Sequence, residues 1–140
     1  MRSLTIAIAA AMIASPALAA DPVEGEWLVQ SGSAKVRIAP CAVKPDRMCG
    51  LISWVRDPRQ AAARDQNNPD PKLKTRPIMG LPLIRDFKPA GGGRWTGGKI
   101  YDPESGKTYD SKLRINADGT LKVEGCILMV CQAQTWRRAS

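Results

Sequence analysis

The chain has 140 residues, with 21 Lys and Arg against 13 Asp and Glu for a net charge of +8, four cysteines and no histidine. Without histidine the commonest general base is missing, as are the usual Ser-His and Cys-His nucleophile pairs, which argues against an enzyme. The length suits one domain rather than two, and the positive charge favours anionic surroundings such as the head groups of an envelope surface.

The chain opens on MRSLTIAIAAAMIASPALAA, in which one basic residue, Arg2, precedes an apolar run that ends in Ala17, Leu18 and Ala19. This is the pattern of a secretory signal peptide over residues 1–19 with an A-x-A cleavage site. The run is shorter than the about 20 apolar residues that a membrane anchor needs, so no transmembrane anchor is expected. The mature protein is expected to be a single exported domain, residues 20–140, periplasmic or secreted. Nucleic acid is not an expected partner, because the basic residues are spread along the chain and are not interleaved with aromatics.

The first predicted strand runs from Glu26 to Gln30 and the second from Lys35 to Ala39, where Val36 and Ile38 alternate with Lys35 and Arg37. That period of two marks a half-buried strand. Cys41 and Cys49 bracket a turn ahead of the β-branched and aromatic run CGLISWVR, Cys49 to Arg56. A long segment without helical or strand period follows, about 57–80. It contains DQNNPDPKLKTRPIMG, whose Asn67, Asn68 and Asp70 can bond neighbouring backbone and whose three prolines restrict the unfolded chain. A connection of this length is usually functional or packed, and the expectation is a cap over one end of the fold, presenting Lys72, Lys74 and Arg76.

After it come LPLIRDF, then Arg94 to Asp102 into the turn PESG, Lys107 to Ile115 into the turn NADG, then TLKVEGCI and CQAQTWRR. The connections beyond Leu81 are so short that neighbouring strands must pair antiparallel. The reading is all-β: a small antiparallel up-and-down barrel of about eight strands, which removes bare edges by closing on itself, with a two-sheet sandwich as the alternative.

The four cysteines form two close pairs. Three pairings are open, and Cys41–Cys49 with Cys126–Cys131 is the economical one because each pair brackets a turn. Zinc is the rival reading, but there is no histidine and neither spacing is C-x-x-C, so no metal and no cofactor are expected.

Gly25 and Trp27 near the mature N-terminus, with Trp136 and Arg138 at the other end, resemble the hallmark of lipocalins and their calycin relatives, in which an arginine of the last strand lies across the first strand's indole. More of the chain is similar to the exported bacterial family known as domain of unknown function 2147. The likeness rests on G-x-W, CGLISWV, NNPDPKLKTRPIMGLPLI, W-x-G-G-x-IYDP-x-S-G-K-x-Y from Trp95 to Tyr109, and QTW-x-R. It implies a calycin-like barrel outside the cytoplasm and specifies no activity.

The parity of Val36, Ile38, Leu81, Leu83, Phe87, Tyr109, Leu113, Ile115, Leu121 and Val123 should face the interior. Arg85 shares it, so Arg85 either reaches water at the mouth or points inward, where it must be paired or meet an anionic ligand. Gln132, Gln134, Trp136 and Arg138 share one face of the last strand. Trp54, Trp95 and Trp136 either fill the barrel or line a pocket. Asp65, Asp70, Asp102 and Asp110 are the carboxylates best placed for acid–base work, although Asp70 and Asp102 precede prolines and so begin turns. The functional expectation is non-catalytic binding of a small apolar or amphipathic anionic ligand, with Arg85, Asn68, Arg76, Trp54, Trp95 and Gln134 as candidate contacts. The alternative is a filled barrel that serves as a protein-interaction or envelope-surface module.

Overall fold

A computed structural model describes residues 9–12 and 20–140; apart from 9–12, the predicted signal peptide lies outside the described residues. Eight strands follow one another: β1 (Gly25–Leu28), β2 (Ala34–Pro40), β3 (Met48–Val55), β4 (Pro82–Gly91), β5 (Arg94–Asp102), β6 (Lys107–Ile115), β7 (Leu121–Ile127) and β8 (Val130–Arg138). Each pairs antiparallel with the next, and β1 pairs with β8 through Trp27 opposite Arg138 and Leu28 opposite Arg137, which closes the barrel. One helical turn, α1 (Pro58–Ala61), begins the long connection, with the Asp57 carboxylate accepting from the Arg59 amide at its start.

Closure creates two unlike ends. The floor holds the start of β1, the end of β8 and the turns that follow β2, β4 and β6. The mouth holds the β1–β2 turn, the long connection after β3, the β5–β6 turn and the β7–β8 turn. The half of the lumen next to the floor is filled: Trp27, Val36, Ile38, Met48, Ile84, Phe87, Trp95, Leu113, Leu121, Val123 and Trp136 form one cluster with Val23. Full burial of large apolar side chains contributes about 1.5–3 kcal/mol each. The Trp27 indole donates to the Val23 carbonyl at 2.9 Å, and the Arg138 guanidinium lies 4.1 Å from the indole centroid while donating to the Glu24 and Pro22 carbonyls. Gly25 is required there: its φ is +125°, and a β-carbon would lie 2.7 Å from Arg138 Nη1.

Both economical disulfides are present, Cys41–Cys49 at the floor and Cys126–Cys131 at the mouth. No helix among the described residues is long and apolar enough to cross a membrane.

Two strands break the expected alternation. In β3 the pairing with β2 slips, Lys35 facing Trp54 but Val36 facing Ile52, so Ser53 is left over and Trp54 turns outward. In β4, Met48 faces Phe87 but Gly50 faces Ile84, and Asp86 takes a φ of +62°. Such bulges insert a residue that does not alternate. Ile84 and Phe87, three apart, therefore both point inward, and the intervening Arg85 and Asp86 are exposed. The possibility of an inward Arg85 is thus corrected: it lies on the outer wall opposite Lys99.

Candidate functional site

Between the filled floor and the mouth, the barrel holds an open cavity of 560 Å³. Only the lower part of the lumen is filled. The Trp136 indole separates the two parts, since it belongs both to the core cluster and to the cavity lining. It donates to Gln134 Oε1 at 3.1 Å, which holds that amide against the wall. β8 is regular here, so Val130, Gln132, Gln134 and Trp136 all face the cavity.

The rest of the wall is largely apolar, with Val29, Ile52, Leu83, Ile100 and Val123. Gly125 makes the room. A β-carbon there would meet Ile100 and Tyr109 at 3.7 Å, ordinary contact distance, so a side chain can start there without a clash. Ser31 and Ser33, bonded to each other at 2.7 Å, sit at the mouth. The charged residues of the lining are Asp102 and Glu104, both acidic. Asp102 accepts from the Glu104 amide and the Ser105 hydroxyl, which ties its carboxylate into its own turn.

Beside this cavity lies a buried polar cluster centred on Asp65, whose side chain is fully enclosed. Tyr101 donates to Asp65 Oδ1 at 2.6 Å; Asn68 and Arg76 Nε each donate to Oδ2 at 2.9 Å. Burial pushes the Asp65 carboxyl up, and the three donors with the Arg76 charge outweigh it, so the group lies below its ordinary value. Burial first, then the hydrogen bond and charge of Asp65, push the Tyr101 phenol up to about 12. Ile78 and Leu81 pack with Ile52 and Tyr101 on this side of the mouth.

A family model described as "Uncharacterized protein conserved in bacteria (DUF2147)" matches residues 25–138, from Gly25 of the floor to Arg138 that packs over Trp27. The chain belongs to the DUF2147 family. In three dimensions this DUF2147 chain is similar to protein HP1028 from the human pathogen Helicobacter pylori, whose structure is reported as that of a lipocalin family member. The TM-score is 0.74 at 23% identity, over 84% of this chain and 83% of that one. At that identity the likeness establishes the fold, a lipocalin-like barrel. No curated protein matches.

The candidates read from the sequence separate in this DUF2147 barrel. Gln134 lines the cavity. Trp95 does not; it is buried in the floor cluster, with its indole N–H on Asp21 Oδ1 at 3.3 Å. Trp54 is outside the barrel, half exposed, with the Lys35 ammonium 5.0 Å from its ring. Asn68 and Arg76 are engaged by Asp65, and neither reaches the lining. The long connection is fastened at the mouth, where Lys72 and Lys74 are exposed and Arg76 is turned to Asp65, and none of residues 57–80 lines the cavity. Cys41, Cys49 and Asp86 lie close together, but the cysteines are joined to each other and offer no thiolate to a metal.

Sequence reasoning missed Tyr101, Ile100 and Gly125 as parts of the site. The signal for Gly125 was available: it follows Val123 on the inward parity of a regular strand, where a glycine removes a side chain from the lumen.

Proposed function

We propose that this DUF2147 protein is an exported, non-catalytic binding protein that takes the apolar part of a small amphipathic molecule into the upper lumen and leaves its polar end at the mouth. The half-hollow barrel carries this reading: 560 Å³ of space, open to solvent above the Trp136 floor, falls within the roughly 300–1,000 Å³ of small-molecule sites. A lipocalin-like fold supports small-ligand binding in general. The two disulfides support an oxidising compartment.

The wall revises the ligand's charge. With Arg85 outside and the charged lining residues acidic, an anionic head would meet Asp102 and Glu104 with no cation of the lining to offset them. The Gln132 and Gln134 amides and the Ser31 and Ser33 hydroxyls suit an uncharged polar head that gives and accepts hydrogen bonds.

The test is a titration with the fluorescent apolar probe N-phenyl-1-naphthylamine, followed by competition. Gly125→Phe projects a ring into the free space and should weaken probe binding at least tenfold with little change in Tm; Gly125→Leu serves if the phenylalanine variant does not fold. A long-chain alcohol or monoacylglycerol should displace the probe better than a fatty acid of equal chain length. Unchanged probe affinity in a folded Gly125 variant would overturn the reading.

A further inference from the structure

The tip of the β7–β8 hairpin is Ile127, Leu128, Met129 and Val130, exposed by 62%, 91%, 96% and 73%. Four consecutive apolar side chains at the end of a hairpin run against the ordinary composition of a turn. The other mouth turns are polar, with Ser31 and Ser33 on one and Glu104 and Ser105 on another. Leu128 stands at a φ of +54°, a conformation that two-residue hairpins normally give to glycine or asparagine. A large apolar side chain is therefore held where the backbone disfavours it.

Directly beneath, Cys126–Cys131 joins the two strands. Ile127 and Val130 also belong to the cavity lining, so along β7 the apolar wall of the site continues from Val123 past Gly125 into the tip.

We infer that this hairpin tip docks the mouth of the barrel on a phospholipid surface. Four side chains on a convex turn fall well short of the roughly 800 Å² per partner of a stable protein–protein contact, whereas a fluid hydrocarbon phase needs no complementary shape. Charge agrees: the chain carries +8, and of its charged residues only Arg2 lies within residues 1–19. The pairing of Asp110 with Cys126 sets Lys107 beside the tip, and Arg56, Lys72 and Lys74 are exposed at the same end. These suit anionic head groups, with Asp70 and Glu104 as exposed opposing charges at the same end. The outer wall carries Lys99 with Asp110, and Lys112 and Lys122 with Glu124, so the barrel rests on the membrane rather than spanning it. Docking stands on the tip alone. Its use, to let a lipid-like molecule pass between bilayer and lumen, rests on the binding reading above.

The experiment is co-sedimentation with phosphatidylethanolamine vesicles containing a quarter phosphatidylglycerol, beside purely zwitterionic ones. The protein should bind the anionic vesicles and bind the zwitterionic ones more weakly. Leu128→Asp with Met129→Asp should lower binding at least tenfold, while Tm and affinity for the naphthylamine probe stay as they were. In Leu128→Trp, vesicle binding should persist and the indole emission should shift to the blue. Equal binding by the double aspartate variant overturns docking, as does wild-type protein that leaves both vesicles in the supernatant. A tip that instead governs dimerisation, seen by sedimentation velocity, also overturns it. Vesicle binding and probe binding are read separately, so either reading can fail without the other.

Discussion

Asp65 is the residue on which the mouth depends most. A buried carboxylate is tolerated because every side-chain donor around it is aimed at its two oxygens, from Tyr101, Asn68 and Arg76. Asp65→Ala leaves a phenol, an amide and a half-buried guanidinium without that acceptor and should cost about 3–5 kcal/mol in urea denaturation. The pH dependence follows from the two shifts. Folding lowers the Asp65 value below its usual 3.8, so its contribution is complete above about pH 4 and is lost as acidification passes through the lower folded value. Folding raises Tyr101 to about 12, so its contribution is complete below about pH 10 and is lost as the pH climbs towards the folded value. Urea midpoints should therefore be flat with respect to this pair between about pH 4 and 10, and Tyr101→Phe should remove its part of the alkaline loss together with the phenolate absorbance step near pH 12.

At the scale of elements, the long connection is an ordered hairpin-like excursion rather than a lid. Arg64 bridges Pro77, the Asp65 amide donates to the Arg76 carbonyl at 3.0 Å, and the Ile78 amide to the Ala63 carbonyl at 3.0 Å. Its outer end is tied to the β5–β6 turn by the Asn67 amide, which donates to the Pro103 and Glu104 carbonyls at 3.1 and 2.9 Å. Asn67→Ala should cost about 1 kcal/mol and should speed hydrogen exchange of the amides of Asp65, Arg76 and Ile78 while the β6 and β7 amides keep their protection. The strands themselves were legible, because each buries one face and ends in Gly, Pro, Asp or Asn; β5 and β6 have the expected limits. The bulges were not. Alternation counts residues, and an inserted residue moves everything beyond it to the other face, which is why Trp54 and Arg85 were candidates for a lumen they do not reach. In the regular β8 the shared face of Gln132, Gln134 and Trp136, which alternation alone could have turned either way, looks into the cavity. The roles of Asn68 and Arg76 were hidden for a different reason: both depend on an Asp65 whose other partner, Tyr101, is 36 residues away.

For the whole molecule, the barrel divides stability from binding along its axis. The floor is closed where the last strand meets the first: Arg138 stacks on Trp27 and bonds the carbonyls of Pro22 and Glu24, so the last strand holds the first in place. The mouth half is bounded by Trp136 below and left open above, and at Gly125 no side chain enters it from β7. Loss of the cation–π contact and of two charge-assisted hydrogen bonds in Arg138→Ala should lower unfolding free energy by about 2 kcal/mol. Because the pairing of β7 with β8 runs without a break from Leu121 to Ile127, the wall of the cavity should survive this change. Arg138→Ala should then bind the naphthylamine probe with wild-type affinity at a temperature where it remains folded, the reverse of Gly125→Phe, which should keep its Tm and lose the probe. If Arg138→Ala weakens probe binding in proportion to its lost stability, the two halves are one cooperative unit and the cavity is held open by the floor beneath it.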